Sequence, residues 1–250
     1  MEGPSLLLAA EQLAPFVGKV IKEVSGNSKA GIDRLLKKKI LAIFSHGKQL
    51  IFQFDTFALR IHFMLYGSFQ ATVDDVKVTG DYPTKNKPIR LRLDLKNGHI
   101  DMYNCSVKFI ESDNVHDSFD FSIDTLSGEW DPKKAFNEVK KRPNDQISDI
   151  LLDQNLFAGV GNIIRNEVLF LAKTLPTHKV NELTDRKLKE IIRHTRDYVF
   201  HFYEWRKKFE LKKHYQVYRQ STCKKCGGKV SRKKTGLRNR VSFICSNCEK

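Results

Sequence analysis

The chain has 250 residues, of which 40% are hydrophobic, and it carries a formal net charge of +15. This length allows one large or two small folded domains, and no stretch approaches the roughly 18 apolar residues that a membrane span requires. The start Met1-Glu2-Gly3-Pro4 lacks the basic segment of a secretory signal peptide, so we expect a cytoplasmic protein with no membrane partner.

The first half of the chain predicts one helix followed by short strands. Residues 5–14 favour a short helix with Pro4 in its first turn. Asn97-Gly98 between two strand-like runs favours a hairpin. We predict an α+β protein whose residues 1–125 form a β-sandwich or barrel with an N-terminal helix. The predicted strands are 40–44, 49–54, 58–63, 68–73, 90–95, 99–103 and 107–111.

The second half predicts helices and a small terminal module. Residues 126–140 are interpreted as a linker, 141–214 as a helical domain, and 215–250 as a basic module containing cysteines. The clearest helix covers residues 183–202, where apolar side chains recur with helical spacing.

The positive charge is concentrated in one part of the chain. Residues 1–140 have a net charge of +1, whereas residues 141–250 have a net charge of +14. This asymmetry favours a polyanion partner for the second part. The alternatives are a solvated basic surface and an anionic membrane surface, but no basic amphipathic helix with a clean apolar face accompanies the charge.

Four cysteines have the spacing of a metal site. Two C-x2-C pairs, separated by eighteen residues, can supply four thiolates to one tetrahedral zinc ion, whereas the alternative is four unrelated free thiols. Because the module is too small to fold on its own core, we expect the zinc to be structural. The residues between the pairs favour a β-hairpin, and Arg240 on it is a candidate nucleic-acid contact or a solvent-exposed side chain. The four predicted ligands are Cys223, Cys226, Cys245 and Cys248.

A glycine-containing turn precedes the predicted helix 163–172. In Gly159-Val160-Gly161-Asn162, the backbone N–H groups at the helix start and the Asn162 amide predict an anion site. A dinucleotide-binding fold would need a third glycine and a preceding parallel strand, and neither is present.

Residues 153–162 resemble the helix–two-turns–helix signature of the formamidopyrimidine-DNA glycosylase and endonuclease VIII family. Four further segments match that family in the same order: residues 2–4 at the start, the loop 45–48, the loop 62–67, and the cysteine module with Arg240. The resemblance implies a β-sandwich domain, a helix–two-turns–helix domain and a zinc finger. It also implies damaged DNA as partner, with the damaged nucleotide flipped out of the duplex.

The resemblance implies an N-terminal amine as nucleophile. The family begins Met-Pro and uses the proline nitrogen, whereas Glu2 follows Met1 here. We therefore expect the α-amine of Met1 to form the Schiff base, since an α-amine with a pKa of about 8 is partly neutral at pH 7. Glu2 would be the general acid/base and Lys48 a phosphate contact close to the reaction.

The resemblance also implies DNA contacts. Met64, Leu65 and Tyr66 would form a wedge that fills the gap left by the flipped base, although by composition alone such residues are more often core. Asn162 and Arg240 would each hold a backbone phosphate. His46 and His62 are interpreted as structural, and Cys105 as a buried apolar residue.

These features predict a base-excision-repair DNA glycosylase with abasic-site lyase activity, of the endonuclease VIII-like branch. The wedge type and the lack of an Arg-Phe pair near residues 103–110 favour oxidised pyrimidines. The alternatives are a noncatalytic binder of damaged DNA, an enzyme that prefers 8-oxoguanine or formamidopyrimidine, and a zinc-ribbon nucleic-acid binder of general type. We expect a monomer with no small-molecule cofactor, associated with the nucleoid if the protein is bacterial.

Overall fold

The computed structural model describes residues 1–112 and 114–250. The chain divides into two compact units, Met1–Asp120 and Phe121–Lys250. The first combines a helix with a sheet and the second is helical with a terminal hairpin, which confirms the predicted α+β fold class.

The first unit begins with helix α1, Gly3–Leu13, which has a proline in its first turn as predicted. Within the described part of this unit, seven strands join in one antiparallel sheet, in the order β1-β6-β7-β4-β3-β2 with β5 paired to β4. The strands are β1 Glu23–Ser25, β2 Ala42–His46, β3 Gln49–Gln53, β4 Phe57–Val73, β5 Val76–Thr79, β6 Ile89–Leu95 and β7 Gly98–Glu111.

Two long strands replace four predicted short ones. The predicted runs 58–63 and 68–73 are the two halves of β4, and the runs 99–103 and 107–111 are the two halves of β7. The pairing of β4 with β7 shifts register between Phe63 and Ser68, so residues 64–67 leave the regular ladder. This irregularity explains why the sequence predicts two short strands where the structure has one long strand.

The predicted hairpin at Asn97-Gly98 is present between β6 and β7. Gly98 has φ +141°, and a Cβ at this position would lie 1.8 Å from the carbonyl oxygen of Thr72 on β4. Only glycine allows this close approach of the two backbones.

Helix α1 packs against the inner face of the sheet. The apolar side chains between the helix and the sheet are buried, which removes a large apolar area from water and is the main stabilising contribution to this unit. Completely buried members of this core include Leu6, Leu13, Phe16, Ile21, Leu35, Leu50, Phe52, Phe54, Leu59 and Ile61.

The second unit contains the helices α2 Pro132–Lys140, α3 Ile147–Ile150, α4 Asn162–Leu171 and α5 Asp185–Lys207. Helix α2 lies within residues 126–140, for which the sequence predicts a linker, so most of this segment is folded. The Asp131 carboxylate caps α2 by accepting from the N–H groups of Lys133 at 2.8 Å and Lys134 at 3.0 Å. Its apolar residues Ala135 and Val139 are buried in the core of the second unit.

Helix α5 packs on α4 through the apolar stripe expected from its sequence. Leu188, Ile191, Ile192, Tyr198, Val199 and Phe202 are all buried. The terminal hairpin pairs β8 Ser231–Thr235 with β9 Arg240–Ile244. Among the described residues, no helix is both long and apolar enough to cross a membrane.

Candidate active site, nucleic-acid contacts and metal cluster

The α-amine of Met1 lies at the start of α1 in a partly buried position. The Met1 side chain packs against the core of the first unit. The backbone of Glu2 is extended, and its carbonyl oxygen accepts from the N–H groups of Ser5 at 3.0 Å and Leu6 at 3.3 Å, which begins the helix. The amine is therefore held at the positive end of a helix.

Burial lowers the pKa of the Met1 α-amine from its ordinary value of 8.0, because the protonated form loses hydration. The carboxylates of Asp81 and Glu2 oppose this effect, and the ammonium of Lys48 adds to it. The other two predicted catalytic residues, Glu2 and Lys48, thus act electrostatically on the Met1 amine, although Lys48 is distant in sequence. Asp81 belongs to the same group and was not predicted.

Lys48 occupies the tight turn between β2 and β3. Gly47 takes the left-handed conformation that this turn needs, with φ +53°. The carbonyl oxygen of Lys48 lies 3.1 Å from Nδ1 of His62 on β4. This contact places His62 beside the turn that carries Lys48.

His62 lies beside Lys48 and the Met1 amine, which the sequence did not predict. Burial lowers the pKa of His62, and the charges of Lys48, the Met1 amine and Arg60 lower it further. The hydrogen bond with the Lys48 carbonyl raises the pKa and so opposes these effects. His62 is therefore harder to protonate than a free histidine, and the charge of the candidate nucleophile contributes to this effect. The other histidine interpreted as structural, His46, is buried with Nε2 3.0 Å from the carbonyl oxygen of Asp120.

The predicted wedge residues are exposed. Met64, Leu65 and Tyr66 have 50%, 68% and 51% of their surface accessible, whereas Phe63 and Gly67 on either side are buried. Three consecutive exposed apolar side chains at a register shift between two strands indicate a contact surface.

In the second unit, the glycine-containing turn leads into a helix, as the sequence predicted. The side chain of Gln154 spans the turn: its amide nitrogen donates to the carbonyl oxygens of Leu152 at 2.9 Å and Val160 at 3.0 Å, and its amide oxygen accepts from the N–H of Gly159 at 3.3 Å. Helix α4 begins directly afterwards at Asn162.

The two predicted phosphate contacts of this unit lie close together in the fold. Nδ2 of Asn162 donates to the carbonyl oxygen of Val241 at 3.0 Å, and Val241 follows Arg240 on β9. Arg240 itself is exposed. The start of α4 and the hairpin strand that carries Arg240 are therefore joined directly.

Polar residues inside α4 hold the hairpin and the preceding loop. Nη2 of Arg165 donates to the Val241 carbonyl oxygen and to Oγ of Ser242, both at 2.9 Å. The carboxylate of Glu167 accepts from three consecutive backbone N–H groups, those of residues 216–218, at 2.7–3.1 Å. Both side chains are completely buried. They were not predicted, and the only signal in the sequence is that charged residues interrupt the apolar face of a helix.

The four predicted metal ligands form a cluster. The sulfur atoms of Cys223, Cys226, Cys245 and Cys248 all lie within 4.8 Å of one another, and those of Cys226 and Cys245 are 3.5 Å apart. A tetrahedron with metal–sulfur bonds of about 2.3 Å has sulfur–sulfur edges of about 3.8 Å. The cluster therefore fits a metal ion bound by four thiolates.

Comparison with known proteins agrees with these features. Residues 122–201 match the family described as "Formamidopyrimidine-DNA glycosylase H2TH domain". The chain is 31% identical over 234 residues to Endonuclease 8-like 3 of Xenopus laevis, a match that covers 92% of this chain and 36% of that protein. It is 28% identical over 269 residues to Endonuclease 8 of Salmonella arizonae, which covers 100% of this chain and 99% of that protein.

The fold has a solved counterpart. The structure of Lactococcus lactis formamidopyrimidine-DNA glycosylase, bound non-covalently to DNA that contains an abasic site, superimposes with a TM-score of 0.85 at 22% identity over 100% of both chains. The chain spans about a third of the length of the Endonuclease 8-like 3 relatives. The shared fold, the matched helix–two-turns–helix domain and the full-length similarity to Endonuclease 8 confirm the resemblance seen in the sequence: the chain belongs to the formamidopyrimidine-DNA glycosylase and endonuclease VIII family, in its endonuclease VIII branch.

Proposed function

We propose that this protein is a DNA glycosylase with abasic-site lyase activity that removes oxidised bases, preferentially pyrimidines, from damaged DNA. Family membership supports the class of reaction. The observation that carries the proposal is the partly buried Met1 α-amine, with its lowered pKa, beside the charges of Glu2, Lys48 and Asp81.

The reaction begins when the lone pair of the neutral Met1 amine attacks C1′ of the damaged nucleotide. The bond from C1′ to the base breaks, and the base leaves with its electron pair and takes up a proton from the attacking nitrogen. Glu2 then donates a proton to the sugar ring oxygen as the ring opens, and an iminium forms between the nitrogen and C1′. Loss of a proton from C2′ expels the 3′ phosphate, which cuts the strand.

Lowering the pKa of the amine aids the first step. An α-amine with a pKa of about 8 is roughly one-tenth neutral at pH 7, and each unit of decrease raises the neutral fraction up to tenfold. Burial of Met1 therefore increases the concentration of the reactive form without a change in the chemical group.

Contacts with the DNA come from both units. In the first unit, Lys48 contacts a phosphate near the damaged nucleotide, and the wedge Met64–Tyr66 fills the space that the flipped base leaves. In the second unit, Asn162 and Arg240 bind backbone phosphates and carry no sequence information. The net charge of +14 on residues 141–250 supports this assignment.

The four-cysteine cluster binds one zinc ion with a structural role. Because all four ligands are protein thiolates, no coordination position remains for a substrate. Zinc holds the hairpin that carries Arg240, and the small core around Cys223, Phe243 and Cys245 would be too small to hold it alone.

Borohydride trapping on DNA with an abasic site tests this proposal. Borohydride reduces the iminium to a stable cross-link, and mass mapping then identifies the attached residue, while the intact mass of the protein establishes that Met1 is its first residue. We expect the cross-link on Met1. A cross-link on a lysine would retain the enzyme but move the nucleophile.

Substitution of Glu2 separates catalysis from binding. We expect Glu2→Gln to abolish strand cleavage and retain DNA binding. Glu11→Gln is the matched control, because Glu11 is an exposed carboxylate on the helix that Glu2 precedes.

The borohydride experiment also has an outcome that refutes the lyase assignment. That outcome is the absence of any cross-link from intact protein that still binds the same DNA, and it would leave a noncatalytic binder of damaged DNA.

A further inference from the structure

Two side chains from separate segments hold the backbone of the wedge Met64–Tyr66. Nδ2 of Asn104, on β7, donates to the carbonyl oxygen of Leu65 at 2.7 Å. Nζ of Lys87, just before β6, donates to the carbonyl oxygen of Tyr66 at 2.7 Å. Successive carbonyl groups of the wedge are thus each bound by a side chain distant in sequence.

The backbone next to these contacts is closely packed. A Cβ on Gly67 would lie 2.3 Å from the Asn104 carbonyl oxygen and 2.9 Å from the Met64 nitrogen, so only glycine fits there. Tyr66 and Asn104 both have left-handed backbones, with φ +61° and +47°. Non-glycine residues rarely adopt this conformation unless their surroundings impose it.

An aromatic contact fixes the last wedge side chain. The ring of Tyr66 meets the ring of Tyr82 edge-on, with centroids 5.5 Å apart and an interplanar angle of 88°. The N–H of Tyr82 donates to Oγ of Ser68 on β4 at 3.2 Å, which ties the partner ring to the same strand.

We propose that Lys87 and Asn104 are positioning residues that keep the wedge preformed and exposed, ready to enter the base stack of a duplex. Neither side chain is required to touch the DNA, because both act through the wedge backbone. A preformed loop loses less conformational freedom on binding, so it enters the duplex at a lower free-energy cost. This inference rests on the proposed function, since it assigns a role within duplex damage recognition.

The role predicts a difference between duplex and single-stranded DNA. A wedge is needed only where a base must be replaced within a stack, so single-stranded abasic sites do not require it. Loss of either positioning contact lowers the ratio of duplex to single-strand cleavage, whereas damage to the reaction centre lowers both rates together.

The variants are chosen to isolate each contact. Lys87→Met removes the ammonium donor, and Lys87→Arg keeps a donor. Lys85→Met is the matched control, because Lys85 is exposed in the same loop and the substitution changes the charge equally. Asn104→Asp keeps a residue that tolerates the left-handed backbone but replaces the donor with an acceptor.

The experiment measures single-turnover cleavage of one abasic site in duplex and in single-stranded DNA, with 2-aminopurine next to the site to report unstacking. We expect Lys87→Met and Asn104→Asp to lower the duplex to single-strand ratio about fivefold each, which is the effect of one hydrogen bond. The fluorescence increase on binding duplex should fall in parallel. Lys87→Arg and Lys85→Met should keep the wild-type ratio.

An unchanged ratio in Lys87→Met and Asn104→Asp would overturn the inference, as would an equal decrease in Lys85→Met. Amide hydrogen exchange at residues 64–67 tests the contacts without any activity. Exchange should be faster in Lys87→Met and Asn104→Asp than in the wild type, and equal exchange would also overturn the inference. If the wild type cleaves neither DNA, the proposed function fails and the exchange result still decides whether these residues hold the wedge.

Discussion

Asn166 offers a test of how α4 holds the hairpin that carries Arg240. Its Nδ2 donates to the carbonyl oxygen of Asn162 at 2.7 Å and lies 3.4 Å from that of Val241, and its Oδ1 accepts from the N–H of Phe243 at 2.8 Å. The residue is only 3% exposed. Replacing Asn166 with alanine therefore leaves the Phe243 N–H inside the protein without its acceptor.

The structure allows the cost of Asn166→Ala to be worked out. A buried N–H that loses its acceptor costs about 1–3 kcal/mol, and the lost hydrogen bond from Nδ2 adds about 1 kcal/mol. We expect the free energy of unfolding to decrease by about 3 kcal/mol, which corresponds to a decrease in Tm of roughly 10 °C for a unit of this size.

Calorimetry of the zinc-loaded protein measures this change. Asn144→Ala is the control, because Asn144 is exposed in the same unit and its side chain makes only a 3.4 Å contact with Asn181. Affinity for DNA should also fall in Asn166→Ala, since Arg240 directly precedes the strand residues that Asn166 holds. A decrease in stability below about 1 kcal/mol, equal to that of the control, would refute the reasoning.

Three further outcomes are expected. Burial lowers the pKa of the Met1 amine, and only the neutral amine attacks, so the rate of borohydride trapping should rise with pH. The rate should reach half its maximum below pH 8, which is about the pKa of a free α-amine. A midpoint at or above about pH 8 would contradict this assignment. Atomic emission should find one zinc ion per chain in the wild type and less in Cys226→Ser. An unchanged zinc content would exclude Cys226 as a ligand. His62→Gln should slow cleavage about fivefold, because it alters the contact with the turn that carries Lys48. An unaltered rate would return His62 to a structural role.

Local sequence determined much of this protein. The four cysteines lie in two tight pairs at the ends of one hairpin, so their spacing alone brings the sulfur atoms together. The apolar stripe of α5 follows from helical periodicity, and the turn at Asn97-Gly98 follows from the conformational freedom of glycine. Short-range patterns are sufficient in these cases because the interacting residues are close in the chain.

The strand boundaries were less predictable. The sequence around residues 64–67 suggests a loop between two strands, whereas β4 continues from Phe57 to Val73 and only its register with β7 shifts. A register shift depends on how two strands pair, and a single strand's sequence does not contain that information.

Only the tertiary structure added His62 and Asp81 to a candidate active site that the sequence had limited to Met1, Glu2 and Lys48. Met1, Lys48, His62 and Asp81 come from four separate segments. Asp81 and Lys48 act on the Met1 amine, and Lys48 acts on His62, only because the fold brings these segments together. The same holds for the residues that support the wedge and the hairpin. The buried carboxylate of Glu167 in α4 is tolerated because three distant backbone N–H groups donate to it, so its purpose becomes visible only when the fold supplies those partners.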